Sequence, residues 1–341
     1  MGFLDFFRKN KPDPETRMLT VEYLSNILSG NDMTEANAME IPTVASCVEY
    51  IGNKVALAPI HLYSRSKDGI QKIENDNRLP LLNEEPSNLF DSVLFRKMLV
   101  KDYLLHGVCY AYKKMVGNTI TELVYVHPSQ VQKTWSDNVL DRQVRYWIQG
   151  TEIPEYRLMR IMRQSMDGVN TKGILQINKE ELSVAYLQIL FGKRIFERNG
   201  RKAGFLTAED KISKEAFADL KEKWPQVYSG QKDASMVLNA GVKFNEMSSS
   251  LQEMQVVENK KYDSEKISNL FGLSPSVLNG TATDEQEVNT FENAVLPIIT
   301  ALQNGLNKYL LLEREKKEKF FAFDVDTALM GPWKNGLRYI R

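Results

Sequence analysis

The sequence of 341 residues is poor in cysteine and histidine, which leaves few residues for disulfide bonds or metal sites. Its two cysteines are Cys47 and Cys109, and its three histidines are His61, His106 and His127. The cysteines lack metal-ligand spacing, so the pattern favours a reducing cytoplasm over a disulfide framework. His106 and Cys109 form one H-x-x-C pair without a partner pair, which is more typical of a half-buried helix or strand end than of a zinc site. We therefore predict no metal site and no cofactor.

An excess of charge of one sign is also missing. Lys and Arg number 44, Asp and Glu number 44, and the formal net charge is zero. A tight, non-specific DNA-binding protein usually carries a cationic excess, because its affinity comes from neutralising phosphates. If this protein meets DNA, we expect light contact or contact through local patches.

Long hydrophobic runs are absent as well. No stretch reaches the roughly 18 apolar residues that suggest a membrane span. The N-terminus, MGFLDFFRKNKPD, has an apolar run too short for a signal-peptide core, and Phe6 stands where a myristoylation signal has Ser or Thr. We expect a soluble protein without a membrane partner.

The common signatures of enzymes are missing too. The sequence has no G-x-x-x-x-G-K-[ST] pattern of P-loop ATPases, no G-x-S-x-G elbow and no H-E-x-x-H pattern. Asp324 and Asp326 alternate with Phe323 and Val325 in a predicted terminal strand, and two such carboxylates can bind a metal or serve acid–base chemistry. No third acid or histidine lies near them in sequence, which favours a structural role. We therefore predict no catalytic residue. An enzymatic function is nevertheless one of the alternatives that remain to be tested.

What the sequence does contain is a succession of helical and strand patterns. Helical spacing over 41–58 and 91–105 brackets a strand at 60–63, and several strand patterns follow between 108 and 161. Helical patterns then dominate, and the last of them, 285–312, contains Pro297, which predicts a kink or the loss of one hydrogen bond. The length and this order predict an α+β protein of two or three modules.

Several short motifs carry a resemblance. Each is weak alone, because Gly/Pro motifs recur by chance, but they share one order along the chain. They are IPTVASCV at 41–48, APIHLY at 58–63, LHGVCYAY at 105–112, VHPSQV at 126–131, RIF, NG, G and L between 194 and 206, L, G and KF between 238 and 244, and FGLSPSVLNG at 271–280. In this order the sequence resembles the HK97-type bacteriophage portal protein family over roughly residues 35 to 330.

The resemblance implies an α+β portal fold with an α/β wing, two long stem helices, a small α/β clip and a tunnel loop before a long kinked helix. The implied regions are an N-terminal arm at 1–34, the first part of the wing at 35–179, stem helices at 180–203 and 248–271 around a clip at 204–247, a tunnel loop at 272–284, the second part of the wing at 285–330, and a C-terminal tail at 331–341 whose crown is short, absent or disordered.

The resemblance also implies a function. Portal proteins form a ring, here predicted to have twelve subunits, at a unique capsid vertex, and double-stranded DNA is packaged and ejected through its channel. The implied partners are the terminase large subunit, the major capsid protein and the head–tail connector or neck proteins. The implied location is the virion, after assembly in the host bacterial cytoplasm. A non-enzymatic helical scaffold or adaptor without a pore is the alternative.

Two sets of candidate site residues follow. The segment 272–284 has no aromatic, Lys or Arg side chain, so it cannot hold phosphates strongly. The resemblance implies that it lines the DNA channel through Ser274, Ser276, Asn279, Thr281 and Thr283, whereas an ordinary helix–helix connection is the alternative. The second set is basic and is expected to contact either DNA or acidic residues of a neighbouring subunit: Lys193, Arg194, Arg198, Arg201 and Lys202.

Overall fold

The computed structural model describes residues 33–67, 69–136, 138, 140–197, 204–208, 218, 242–246 and 264–334. Side chains at 191–192, 194–197, 204–208, 242–246 and 330–334 are outside this description. Nearly all of the expected arm, much of the expected clip, the first part of the second stem helix and the end of the tail lie outside the described residues.

The first described helices are α1 (Glu35–Met39), α2 (Pro42–Leu57), α3 (Arg78–Asn83) and α4 (Ser92–Leu105). Local signals explain where they begin. The Asp91 side chain accepts a hydrogen bond from Leu94 N at 2.7 Å at the start of α4, and Pro42 occupies the first turn of α2. One apolar stripe of α2 is buried against α4 and forms part of the main core: Val44, Cys47, Val48, Ile51 and Val55.

The first sheet joins the two ends of the described chain. Strand β1 (Ile60–Ser66) lies between β2 (Gly69–Ile73) and β11 (Lys319–Phe323), and both pairings are antiparallel. The register between β1 and β11 runs from Ile60 opposite Phe323 to Ser64 opposite Lys319. The apolar faces of both strands enter the core, so the C-terminal strand completes a sheet that the N-terminal part begins.

The strands between 108 and 162 form two sheets. Strands β3 (Val108–Val116), β4 (Thr119–Val126) and β8 (Leu158–Met162) make one, with β3 central. Strands β5 (Val131–Trp135), β6 (Val144–Ile148) and β7 (Thr151–Ile153) make the other as a meander. The expected strands are therefore present, and they form two sheets, because β8 pairs with β3 whereas β6 pairs with β5.

Two helices and a separate pair of strands are described after residue 162. Helix α5 (Ile174–Ile177) precedes the 19-residue helix α6 (Lys179–Glu197). Strands β9 (Gly204–Ala208) and β10 (Val242–Glu246) pair antiparallel, and residues 264–270 are helical. No helix in the described part of the chain is long and apolar enough to cross a bilayer.

The remaining elements include the helical stretch that contains Pro297. They are α7 (Pro275–Leu278), α8 (Asp284–Thr290), a π-helical turn (Phe291–Val295), α9 (Leu296–Leu310) and α10 (Val325–Lys334). At the π-helical turn, Leu296 N donates to Phe291 O, five residues back. This wider turn directly precedes Pro297, which has no N–H to donate, so the regular α-helical hydrogen bonding changes here, whereas the kink stays a prediction.

The structure contradicts the strand predicted for Asp324 and Asp326, although the structural role favoured for them holds for Asp324. Strand β11 ends at Phe323, and Asp324 caps α10 through hydrogen bonds from Thr327 N at 3.1 Å and Thr327 Oγ1 at 2.9 Å. Asp326 is exposed in the first turn of this helix. A carboxylate beside free N–H groups favours a helix start over a continued strand, so the two acids do not share a strand face. The expected wing boundary at 330 also falls inside α10.

A buried arginine fastens the loop before β11 to the body of the protein. Arg78 Nη2 pairs with Asp76 Oδ2 at 2.7 Å, and Arg78 Nη1 pairs with Glu315 Oε2 at 2.8 Å. Nη1 also donates to Leu310 O at 3.0 Å, at the end of α9. Glu315 in turn accepts a hydrogen bond from Leu312 N at 3.1 Å. One guanidinium therefore holds the turn that leads from α9 into β11.

We expect Arg78→Met to lower the free energy of unfolding by about 3 kcal/mol, because it leaves two partly buried carboxylates without their shared donor. Arg145→Met is a matched control, since Arg145 is 67% exposed and reaches Glu152 only at 4.0 Å. The control should change stability by less than about 0.5 kcal/mol. Urea denaturation measures both, and equal costs would contradict the role given to Arg78.

The same network predicts a pH dependence. Hydrogen bonds from Arg78 lower the pKa of Glu315 from 4.5 to about 2 and also lower the pKa of Asp76. Because the folded-state values are depressed, the stabilisation is present above the unfolded-state values and is lost as pH falls from 4.5 towards 2. Wild-type protein should lose unfolding free energy across this window more steeply than Arg78→Met. Parallel pH profiles would contradict this assignment.

Candidate functional site

The candidate channel segment, 272–284, follows the helix at 264–270, which ends at Gly272. Gly272 has φ +73°, its N–H donates to Asn269 O at 3.0 Å, and the N–H of Leu273 donates to Ser268 O at 3.0 Å. These two bonds form a Schellman motif, which satisfies the last carbonyls of the helix at 264–270. Leu273 and Phe271 are buried in the main core, so this turn is anchored to the body.

The same motif recurs eight residues later, and it corrects the expectation of a continuous loop over 272–284. Pro275 starts the short helix α7. Gly280, with φ +68°, donates to Val277 O at 3.4 Å, and Thr281 N donates to Ser276 O at 2.9 Å. Periodicity cannot reveal a single helical turn, because four residues contain little more than one period.

The five predicted channel residues divide into two groups. Ser274 and Ser276 are partly buried, and their hydroxyl oxygens lie 2.8 Å apart in a hydrogen bond. Asn279, Thr281 and Thr283 are exposed. The structure therefore places Ser274 and Ser276 at the start of α7, and Asn279, Thr281 and Thr283 on the surface of the connection between α7 and α8.

The connection ends in a capping box that begins α8. Thr283 Oγ1 accepts from Gln286 N at 3.3 Å, and Gln286 Oε1 accepts from Thr283 N at 3.1 Å. This reciprocal pair satisfies two N–H groups at the helix start. Thr283 thus has a local structural role in addition to its exposure.

The electrostatics of this region contain a feature that the sequence analysis missed. From 267 to 307 the sequence has no Lys or Arg. The acidic residues in the same stretch are exposed at or near the start of α8 and in the π-helical turn: Asp284, Glu285, Glu287 and Glu292. The signal was present in the sequence, but the predicted segment ended at 284 and left most of it out. A surface of this kind repels phosphate groups.

The π-helical turn packs against the first of the two glycine turns. A Cβ atom added at Gly272 would lie 3.2 Å from the Cβ of Ala294, whereas one added at Gly280 would meet nothing within 4 Å. The channel segment and the π-helical turn are therefore in direct contact. Such turns often occur at functional sites.

The basic set is mostly outside the described part of the chain. Lys193 is an exposed residue of α6, and Arg194 is in the same helix with its side chain outside the description. Arg198, Arg201 and Lys202 lie outside the described residues. Their contact with DNA or with a neighbouring subunit stays a prediction.

Two of the three histidines come together, which the sequence did not predict. His106 and His127 both contact Glu35. Cys109 is not part of this group. It is buried in the core, where burial raises the pKa of its thiol. The one local signal was the i,i+4 spacing of Asp102 and His106, since Glu35 and His127 are distant in sequence.

The comparisons with known proteins agree with the fold. The sequence matches the family model described as phage portal protein over residues 42–340. The chain belongs to the phage portal protein family. It is also 21% identical over 326 residues to the "Probable portal protein" of Streptomyces phage phiC31. This match covers 89% of this chain and 71% of that protein. The family expected from the motif order is confirmed.

Solved structures share the portal fold. An HK97 family phage portal protein from Corynebacterium diphtheriae has a TM-score of 0.64 at 14% identity, over 87% of this portal chain and 97% of that chain. A chain from the virion of a native gene transfer agent particle has a TM-score of 0.56 at 16% identity, over 89% and 86%. A chain from the neck of that native particle, computed with C12 symmetry, has a TM-score of 0.52 at 17% identity, over 91% and 85%. The expected α+β portal fold is confirmed.

The two glycine turns give a paired prediction. Gly280→Ala should cost about 1 kcal/mol of unfolding free energy, because an L-residue is disfavoured at positive φ. Gly272→Ala should cost clearly more, because its Cβ must also displace Ala294. Urea midpoints of both variants measure the difference. An equal or reversed order would contradict the packing of the π-helical turn on this glycine.

Proposed function

We propose that this portal protein assembles into a closed homo-oligomeric ring of twelve subunits at one capsid vertex. Its central channel passes double-stranded DNA during packaging and ejection. Family membership supports a place in a virion, and one of the similar structures belongs to a particle neck with C12 symmetry. Head-to-tail contacts between identical subunits close into a ring when the rotation between them returns to its start. Assembly would take place in the host bacterial cytoplasm.

The observation that carries the proposal is the out-and-back course of the chain. Leu182 and Tyr186 of α6 are buried in the main core, burial then falls along the helix, and Lys193 is exposed. Ile267 and Phe271 return to the same core. The 19 residues of α6 give a length of about 28 Å. This length suits a stem that projects from the wing of each subunit.

In this proposal the clip, 204–247, between the two stem helices is the surface to which partner proteins bind. Its two described strands, β9 and β10, pair with each other and with no strand of the wing among the described residues. We assign this clip to the terminase large subunit during packaging and to head–tail connector or neck proteins afterwards. The wing would face the major capsid protein.

The channel surface in this proposal comes from the segment between α7 and the π-helical turn. Asn279, Thr281 and Thr283 offer small polar side chains, and the acidic residues beside them repel phosphate. DNA that must slide gains from weak contact, because each neutralised phosphate would add affinity and slow its movement. The zero net charge of the chain fits the same requirement.

The portal in this proposal supplies no energy of its own. No P-loop pattern occurs in the sequence, so the energy for packaging would come from ATP hydrolysis by a separate motor. The rival function, a scaffold or adaptor without a pore, predicts a monomer or a small oligomer.

Particle imaging with a mass measurement distinguishes these functions. We expect purified protein, over a range of concentrations, to form closed rings whose opening admits duplex DNA and which hydrolyse no ATP. ATP hydrolysis by the purified chain would contradict the non-enzymatic assignment. Compact monomers under all conditions, together with failure to form rings when capsid protein is present, would favour the scaffold.

Bulk in the channel segment should block DNA. Asn279→Trp and Thr281→Trp each place twelve large side chains at the proposed opening, so particles carrying them should protect only a small fraction of the wild-type DNA from nuclease. Asn118→Trp is the matched control, because Asn118 is exposed in the turn between β3 and β4. Normal packaging by both channel variants would remove this segment from the channel.

A further inference from the structure

Four side chains with metal-binding atoms converge at one point of the wing, away from the channel segment. They are Glu35, Asp102, His106 and His127, and each offers one ligand atom within 4.8 Å of all the others. Glu35 belongs to α1, Asp102 lies in α4, His106 caps the end of α4, and His127 follows β4. Three separate parts of the chain thus meet at this cluster.

The two histidines point the same ring atom at one carboxylate oxygen. His106 Nε2 lies 2.7 Å and His127 Nε2 lies 2.8 Å from Glu35 Oε2. The two ring centroids are 5.1 Å apart, with the ring planes at 83°. Two imidazole nitrogens and a carboxylate oxygen directed at one point are the donor set that zinc and neighbouring transition metals prefer.

The fourth group is a buried carboxylate with an unused oxygen. Asp102 is fully buried, and its Oδ2 accepts a hydrogen bond from Tyr125 OH at 2.8 Å. Its Oδ1 has no hydrogen-bond partner among the described residues. Burying a carboxylate oxygen without a partner is costly, and a bound cation removes that cost.

Outer hydrogen bonds hold the ligands in place. Lys101 Nζ pairs with Glu35 Oε1 at 2.7 Å, which leaves Oε2 directed at the histidines. His127 Nδ1 lies 2.7 Å from Ser129 Oγ, and Tyr125 fixes Asp102. Partners of this kind orient the ligands in metal sites and set the imidazole tautomer.

A hydrogen-bonded cluster without metal is the competing interpretation. Ser129 N donates to His127 Nδ1 at 3.2 Å, which puts the proton of a neutral ring on Nε2, facing Glu35. Metal binding at Nε2 needs the other tautomer, in which Nδ1–H donates to Ser129 Oγ. Ligands of one zinc at about 2.0–2.1 Å stand about 3.3 Å apart. Each ring would therefore withdraw by about half an ångström from Glu35 Oε2, a shift within the reach of side-chain rotation.

We propose that Glu35, Asp102, His106 and His127 bind one divalent transition metal, with Zn²⁺ as the best-fitting ion. Four ligands from one subunit suit the closed tetrahedral geometry of a structural site. The bound ion joins α1 to α4 and to the end of β4, across 92 positions between Glu35 and His127. All ligands belong to the same chain, so the proposal is independent of ring assembly.

Titration with Co²⁺, whose visible absorption reports coordination geometry, tests the proposal. Purified wild-type protein should bind one Co²⁺ per subunit with tetrahedral absorption, and Zn²⁺ should displace it. His127→Ala and Glu35→Gln should each weaken binding by more than the roughly 10- to 100-fold that loss of an outer hydrogen-bond partner costs. Tyr125→Phe should fall within that range. His61→Ala is the matched control, because His61 lies on β1, outside the cluster, and should bind as wild type.

Glu35→Gln keeps the shape and one oxygen of the ligand, so it tests the site even if His127→Ala fails to fold. Circular dichroism identifies any variant that is unfolded. Absence of Co²⁺ binding by folded wild-type protein overturns the proposal and leaves a hydrogen-bonded cluster. Unchanged binding in Glu35→Gln, or a sulfur-to-metal absorption band that indicates cysteine ligation, also overturns it.

Discussion

The antiparallel pairing of β1 with β11 closes the body of this portal subunit. It brings residue 60 opposite residue 323, so the core is built from both ends of the described chain. Arg78 reinforces the closure, since it holds Glu315 and the end of α9 just before β11 begins.

The proposed channel segment is shaped mainly by local contacts. It contains two Schellman motifs, a capping box and the contact between Gly272 and the π-helical turn. Its backbone geometry therefore depends on local hydrogen bonds rather than on side chains that reach outward. Small polar and acidic groups are left at the surface, as the proposed weak contact with DNA requires.

The cluster around Glu35 adds chemistry that movement of DNA does not require. It lies where α1 meets α4 and the end of β4, so it couples the start of the described chain to the core. Burial raises the pKa of Asp102 to about 7, although the hydrogen bond from Tyr125 opposes this shift. A buried acid beside two histidines is costly without a compensating partner, and its position suggests a role in fastening α1 to α4.

The sequence by itself determined the features that adjacent residues encode. Helical spacing predicted α2, α4 and α9, Pro297 predicted the interruption before α9, and the order of motifs predicted the family. Only the tertiary structure decided the β1–β11 pairing, the division of the central strands into two sheets, the capping role of Asp324 and the meeting of His106 with His127. The physical reason is range: periodicity, capping and turn residues act within a few positions, whereas strand partners and side-chain clusters depend on which distant segments the core brings together.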